Sequence, residues 1–210
     1  MPDQTGTVTT LTNPDISRRV LRLQILTVAW MSIEVIVALR AAWSAKSSAL
    51  LGFGGDSAVE LLSAVVVFWR FRSTSDSTEK DERFAARITG ALLFVVAGFV
   101  LLTSGQSLLG YYESRPSLAG IILLIAAAIG MPWLASQKRK LATQIASPSL
   151  RADAAESALC GYLSLIALAG LLANAIFHVR WADPAAALAL VPLIGREGWH
   201  SIHSSKLCCD

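Results

Sequence analysis

Long apolar blocks separated by polar joints make up most of this chain. A bilayer core of roughly 30 Å needs about 20 apolar residues per helix. Five blocks meet that length, at 20–44, 48–69, 86–110, 117–135 and 150–177, and a sixth at 182–197 is shorter. "SRPS" (114–117) and "WADP" (181–184) read as tight turns, so the helices they join are expected to be antiparallel neighbours. Asp183 followed by Pro184 reads as a helix start, an N-cap acceptor and then a residue with no amide proton to leave unpaired. The only long polar joints are "RSTSDSTEKDER" (72–83) and "SQKRKLATQIASPS" (136–149). The opening "MPDQTGTVTTLTNPD" is polar, has no helical period and is expected to be mobile.

The predicted fold is therefore all-α, a polytopic membrane protein of six transmembrane helices. Its expected divisions are an N-terminal segment (1–16), a six-helix membrane domain (17–198) and a short His- and Cys-containing tail (199–210). The first apolar block follows Arg18, Arg19 and Arg22, as a signal peptide would. It is too long for one, and no small-residue cleavage site leads into a soluble domain, so a retained helix is expected.

Composition agrees with this reading. Of 210 residues, 54% are hydrophobic and 16% charged, with a mean hydropathy of +0.54, more apolar surface than a compact soluble core could use. The basic residues alternate by joint. One set holds Arg18, Arg19, Arg22, Arg70, Arg72, Lys80, Arg83, Arg87, Lys138, Arg139, Lys140, Arg151, Arg196 and Lys206, and the opposite set only Lys46, Arg115 and Arg180. The positive-inside rule then puts both termini in the cytoplasm. That demands an even number of spans and argues for the short sixth helix. The net charge of +3 follows from this topology, and no nucleic-acid partner is needed.

Against this background the carboxylates inside the spans stand out, because each costs about 2.5–3.5 kcal/mol to insert. Asp56 and Glu60 in "GFGGDSAVELL" lie one helical turn apart on one face. Two like charges that close repel, so a proton or a metal ion is expected between them. The fifth block repeats the device, with Asp153, Glu156 and Cys160 at offsets of three and four. If the two faces meet, carboxylates and a thiol on two helices can build a tetrahedral cation site. The thiol favours zinc over the harder magnesium or calcium.

Plainer roles exist for each residue. Glu60 could pair with Arg40 or Lys46, Cys160 could be a small buried hydrophobe, and Asp153 could complement the start of the fifth helix. The repeated spacing on two spans favours the cation reading for Asp56 and Glu60. Glu34, alone in the first span, is compatible with three roles: a ligand on the cation's way in, a proton relay, or a partner for Arg40. Ser104, Gln106, Ser107 and Asn174 read as helix-to-helix hydrogen bonds, and His178 as a solvated interfacial side chain. In the tail, His200, His203, Cys208 and Cys209 could capture metal or be incidental. No nucleophile stands near a histidine base and no zinc-protease motif is present, so an enzyme is not expected.

These residues resemble the membrane domain of the cation diffusion facilitator family of divalent-metal transporters. The likeness rests on "ALLGFGGDSAVELLSAVVVFWR", "LRADAAESALCGYLSLIAL" and "WADPAAALALVPLIGREG", and with the order of the spans it covers about residues 20–198. In that family two residues four apart in the second span and two in the fifth, typically Asp or His, form the transport site. The resemblance implies Asp56, Glu60, Glu156 and Cys160 here, with Glu, Glu and Cys at three of the four positions. It further implies alternating access, export of a zinc-like ion from the cytoplasm against protons, and a homodimer. The location it suggests is the inner (plasma) membrane of a bacterium. The family usually carries a cytoplasmic domain after the sixth span, so a short, membrane-domain-only form is expected. A non-transporting membrane metal sensor or binding partner is the competing function.

Overall fold

The structure, a computed structural model, describes residues 14–72, 79–111, 113–144 and 148–203. They form six helices: α1 (Pro14–Ala45), α2 (Ser48–Arg72), α3 (Glu79–Leu108), α4 (Leu118–Gln144), α5 (Pro148–Phe177) and α6 (Ala182–His203). No strand occurs among the described residues. Among the described residues, four helical segments are long and apolar enough to cross a membrane: Leu21–Ala45, Arg87–Leu108, Leu118–Gln144 and Asp153–Phe177.

Neighbouring helices close a ring in the order α1, α2, α3, α6, α5, α4 and back to α1, and α2 also touches α5 and α6 across it. α2 is therefore the most enclosed element. Its buried side chains Leu50 and Phe53 join Leu124, Met131, Leu163, Leu171, Leu190 and Ile194 in one continuous core. Close approach comes from glycine. A Cβ on Gly54 would stand 2.9 Å from that of Ala38 in α1, and one on Gly55 would stand 2.7 Å from a Val96 methyl in α3. The Gly54–Gly55 pair thus lets α2 press against two helices immediately before Asp56.

Turn chemistry sets the helix ends. Lys46 adopts a left-handed backbone conformation (φ 52°), and the Ser47 amide reaches back to the Ala42 carbonyl at 3.1 Å, stopping α1. Gly110 (φ 82°) stops α3 in the same way, with the Tyr111 amide bonded to the Gln106 carbonyl. Ser47 and Ser117 then cap α2 and α4, their hydroxyls accepting from the Leu50 and Gly120 amides.

The start of α1 and the end of α6 lie at one end of the bundle. At that end Gly90 of α3 abuts Gly198 of α6, and Leu23 of α1 packs on Leu141, Ala142 and Leu150. The structure corrects several sequence expectations here. The joint 136–149 is mostly helix, because α4 runs on to Gln144 and buries Lys138, Leu141 and Ala142. The joint 72–83 is shorter too, since α3 begins at Glu79. Helix α1 takes in residues from Pro14, while 1–13 fall outside the described residues. The beginning of the expected tail continues α6 through His203, and Cys208 and Cys209 lie outside the described residues.

At the far end, Asp183 is not the N-cap of its own helix. α6 already begins at Ala182, and the fully buried Asp183 carboxylate turns to α2, accepting from Ser47 Oγ at 2.5 Å and the Ser48 amide at 2.9 Å. The end is tied further by Asn174 Nδ2 donating to the Ser114 carbonyl and by the Arg115 amide donating to the Ala45 carbonyl. Asn174 thus bonds to a loop rather than to another helix, and Gln106, also expected at a helix contact, is exposed. His178 is exposed as expected, and Arg180 pairs with Glu113 on the surface.

A charged acceptor serving two buried donors contributes about 2–3 kcal/mol. Asp183→Ala is expected to lower the thermal midpoint of the purified protein in detergent by several degrees. A circular-dichroism melt checks this, and an unchanged midpoint would show that water serves the Ser48 amide equally well.

Candidate cation site

Asp56 and Glu60 fall in the middle of α2, where it is ringed by other helices. Asp56 is 1% exposed, and neither of its carboxylate oxygens has a hydrogen-bond partner. Glu60 is half-buried, with Oε1 buried and unpartnered. Arg40 and Lys46, its alternative partners, are both exposed.

On α5 the expected pair divides. Cys160 is fully buried. Gly161 lets the proline ring of α4 approach beside it, for a Cβ there would stand 2.9 Å from Pro132. Glu156, one turn earlier, is exposed. The charges of Glu34, Asp56 and Glu60 act on Cys160, and those of Asp56, Glu156, Glu197 and Glu34 act on Glu60. Asp56 and Glu60 therefore lie within electrostatic reach of Cys160, whereas the exposed Glu156 is not among the charges that act on that thiol. Among the described residues, however, no three His, Cys, Asp or Glu side chains stand close enough together to hold a metal ion.

Of the accessory candidates, Asp153 is already engaged. Its Oδ1 pairs with Lys138 Nζ at 2.8 Å and its Oδ2 accepts from Gln24 at 3.2 Å, while Lys138 also donates to Ser157 Oγ at 2.9 Å. Asp153 thus joins α1, α4 and α5 near the end where α1 begins. His203 stacks on Trp199 with ring centroids 4.0 Å apart, and its Nδ1 lies 3.0 Å from the Trp199 carbonyl. His200 is exposed on the same helix.

Two acids gain importance beyond the sequence reading. Glu34 is fully buried with both oxygens unpartnered. Trp30, one turn back, approaches it, but the indole Nε1 falls short of hydrogen-bond geometry and is itself unpartnered. Arg40, the salt-bridge partner considered for Glu34, is exposed and leaves both oxygens free. Glu197 in α6, half-buried, acts on Asp56, Glu60 and Glu156. It was missed because "GREG" at the end of the last apolar block reads as a polar helix end. Only the neighbourhood of α2 and α6 reveals it.

A buried carboxylate without a donor is stable only when a proton or a cation comes to it from outside. Asp56, Glu34 and one oxygen of Glu60 each meet that description. Each carboxylate can take a proton or serve as one ligand of a cation, and the two compete for the same atoms. The family model described as the cation efflux transmembrane domain matches residues 25–207, from within α1 to beyond the end of α6. No curated protein matches the chain.

Proposed function

The chain belongs to the cation efflux family, and from that premise we propose that it exports a zinc-like divalent cation from the cytoplasm in exchange for inward-moving protons. It is an integral membrane protein and a cation transporter of that family's type. The proposal assigns the cargo to Asp56, Glu60, Glu156 and Cys160. The observation carrying it is the pair of unpartnered Asp56 oxygens, 1% exposed, beside the buried Cys160 thiol. The carboxylates release protons as the cation enters and take them up again as it leaves, so each half of the cycle neutralises the site. Rocking of α2 against α5 would open the site to one face of the membrane and then to the other. In line with the distribution of basic residues, both termini are proposed to face the cytoplasm, and the protein to work as a homodimer in a bacterial inner membrane.

Vesicles carrying the reconstituted protein and an internal zinc dye test this. Zinc flux driven by an imposed pH gradient and abolished by a protonophore is expected. Zinc binding with no flux would overturn the transporter reading in favour of a membrane metal sensor. The thiol sets the preference among ions. Cys160→Ser is expected to lower the ratio of zinc to manganese flux by about tenfold, since only the soft donor is replaced by a hard one. An unchanged ratio would place Cys160 outside the ligand set.

A further inference from the structure

The outer sides of α4 and α5 leave a groove between them. Along α4, Pro132, Ala135, Ser136 and Arg139 fall on one stripe at helical spacing, and along α5, Ala158, Gly161, Tyr162 and Leu165 repeat the same spacing. The two stripes line one cavity of about 460 Å3. Its floor is made of small residues: Ala135 and Gly161 are buried, and the missing side chain at Gly161 is what admits the Pro132 ring. Pro132, Ser136, Tyr162 and Leu165 are exposed, so the groove opens away from the bundle. Ser136 donates its hydroxyl to the Trp133 carbonyl of its own helix at 2.7 Å, which leaves the lining apolar. From Pro132 to Arg139 the stripe rises about 10 Å, within one leaflet's hydrocarbon depth of roughly 15 Å. Both walls belong to segments apolar enough to cross a membrane, so the groove faces lipid.

Charge decides what kind of lipid fits. Lys138 turns inward to Asp153 and Ser157, and one residue later Arg139 turns out to the end of the groove. The contacts of Pro132 with Gly161 and of Lys138 with Ser157 fix the antiparallel register of the two helices. In that register Arg151, on the same stripe of α5 as Ala158, stands about one turn past Arg139. Both arginines are exposed, and among the described residues no carboxylate pairs with either. Asp153, two residues after Arg151, is already held by Lys138 and Gln24. We infer that the α4–α5 groove is a binding site for an anionic phospholipid, an acyl chain lying along Pro132, Ser136, Tyr162 and Leu165 and the phosphate held by Arg139 and Arg151. A basic pocket between spanning helices suits such a headgroup, and its position at the end where α1 begins is the side proposed to face the cytoplasm. The bound chain braces the contact of Pro132 with Gly161, next to Cys160 in the core.

Native mass spectrometry of the full-length chain in a neutral detergent, titrated with phosphatidylglycerol or phosphatidylcholine, tests this without any metal or flux measurement. Phosphatidylglycerol is expected to bind about tenfold or more tightly than phosphatidylcholine. Arg139→Gln should weaken it about fivefold, the loss of one basic contact, and the double variant with Arg151→Gln should erase the preference. Arg139→Lys keeps the charge and should keep most of the preference. Ser136→Leu leaves both arginines but fills the groove, and it should also lose the lipid. All of these positions are exposed, so each variant is expected to melt with the parent in lipid-free detergent. Phosphatidylglycerol bound equally well by the double arginine variant or by Ser136→Leu would overturn the inference. So would inorganic phosphate binding as tightly as the lipid, which would make the arginines a site for a soluble anion. A parent dimer split into monomers by Ser136→Leu would instead make the groove an interface between copies.

Discussion

Asp56→Asn is expected to reduce zinc flux in reconstituted vesicles by more than about 100-fold, beyond the 10- to 100-fold loss usual for groups that only support a metal ligand. The substitution conserves volume in a core where the neighbouring glycines leave little room, so packing around α2 should survive. The missing element is the negative charge of that one carboxylate. Stability should respond in the opposite sense. Both Asp56 oxygens are buried and unpartnered, so removing the charge relieves a penalty, and the metal-free variant should melt at or above the parent. Asp183 provides the contrast within one molecule. It is equally buried, but its oxygens are met by Ser47 and Ser48, so its loss should appear in the melt. Flux and melting measured on both variants separate an acid kept for the cargo from an acid kept for the fold. A lower melt with intact flux for Asp56→Asn would reverse that assignment.

Lys138→Met should produce the largest loss of stability. The ammonium is fully buried and bonds to both Asp153 and Ser157, and Asp153 retains 27% of its side-chain exposure. Breaking a buried pair by removing one partner costs about 3–5 kcal/mol, and the partial exposure of Asp153 brings the expectation to the lower end of that range. The double variant Lys138→Met, Asp153→Asn should recover most of the loss, because no charge is left unpaired. Chemical or thermal unfolding of the three proteins in one detergent checks this. Equal destabilisation by the single and double changes would show that the lost Lys138–Ser157 bond, rather than the ion pair with Asp153, accounts for the loss.

The six helices were legible because a run of about 20 apolar residues has few alternatives to spanning a bilayer. Their ends were less legible, for a physical reason that Lys138 illustrates. A hydropathy pattern stops where charges begin, but α4 continues for another two turns by burying Lys138 against an acid of α5 and its own Leu141 against Leu23. The pairing was visible only in three dimensions. Asp183 was legible as a capping residue but assigned to the wrong helix, since capping by a residue 135 positions away leaves no local spacing to read. For the site, the one-turn repeat brought out Asp56 and Cys160, which are indeed deeply buried. It could not show that Glu156 is exposed, because helical periodicity fixes a face without fixing depth. Nor could it choose among the roles of Glu34, an acid with no partner in its own sequence neighbourhood.

The bond from Asp183 to the start of α2 also bears on how the protein is made. Asp183 belongs to α6, which leaves the ribosome four helices after Ser47 and Ser48. Until α6 arrives, the first amides of α2 await their acceptor. The start of the second helix is thus completed only when α6 docks, and a nascent chain halted before residue 183 leaves the Ser48 amide without its acceptor.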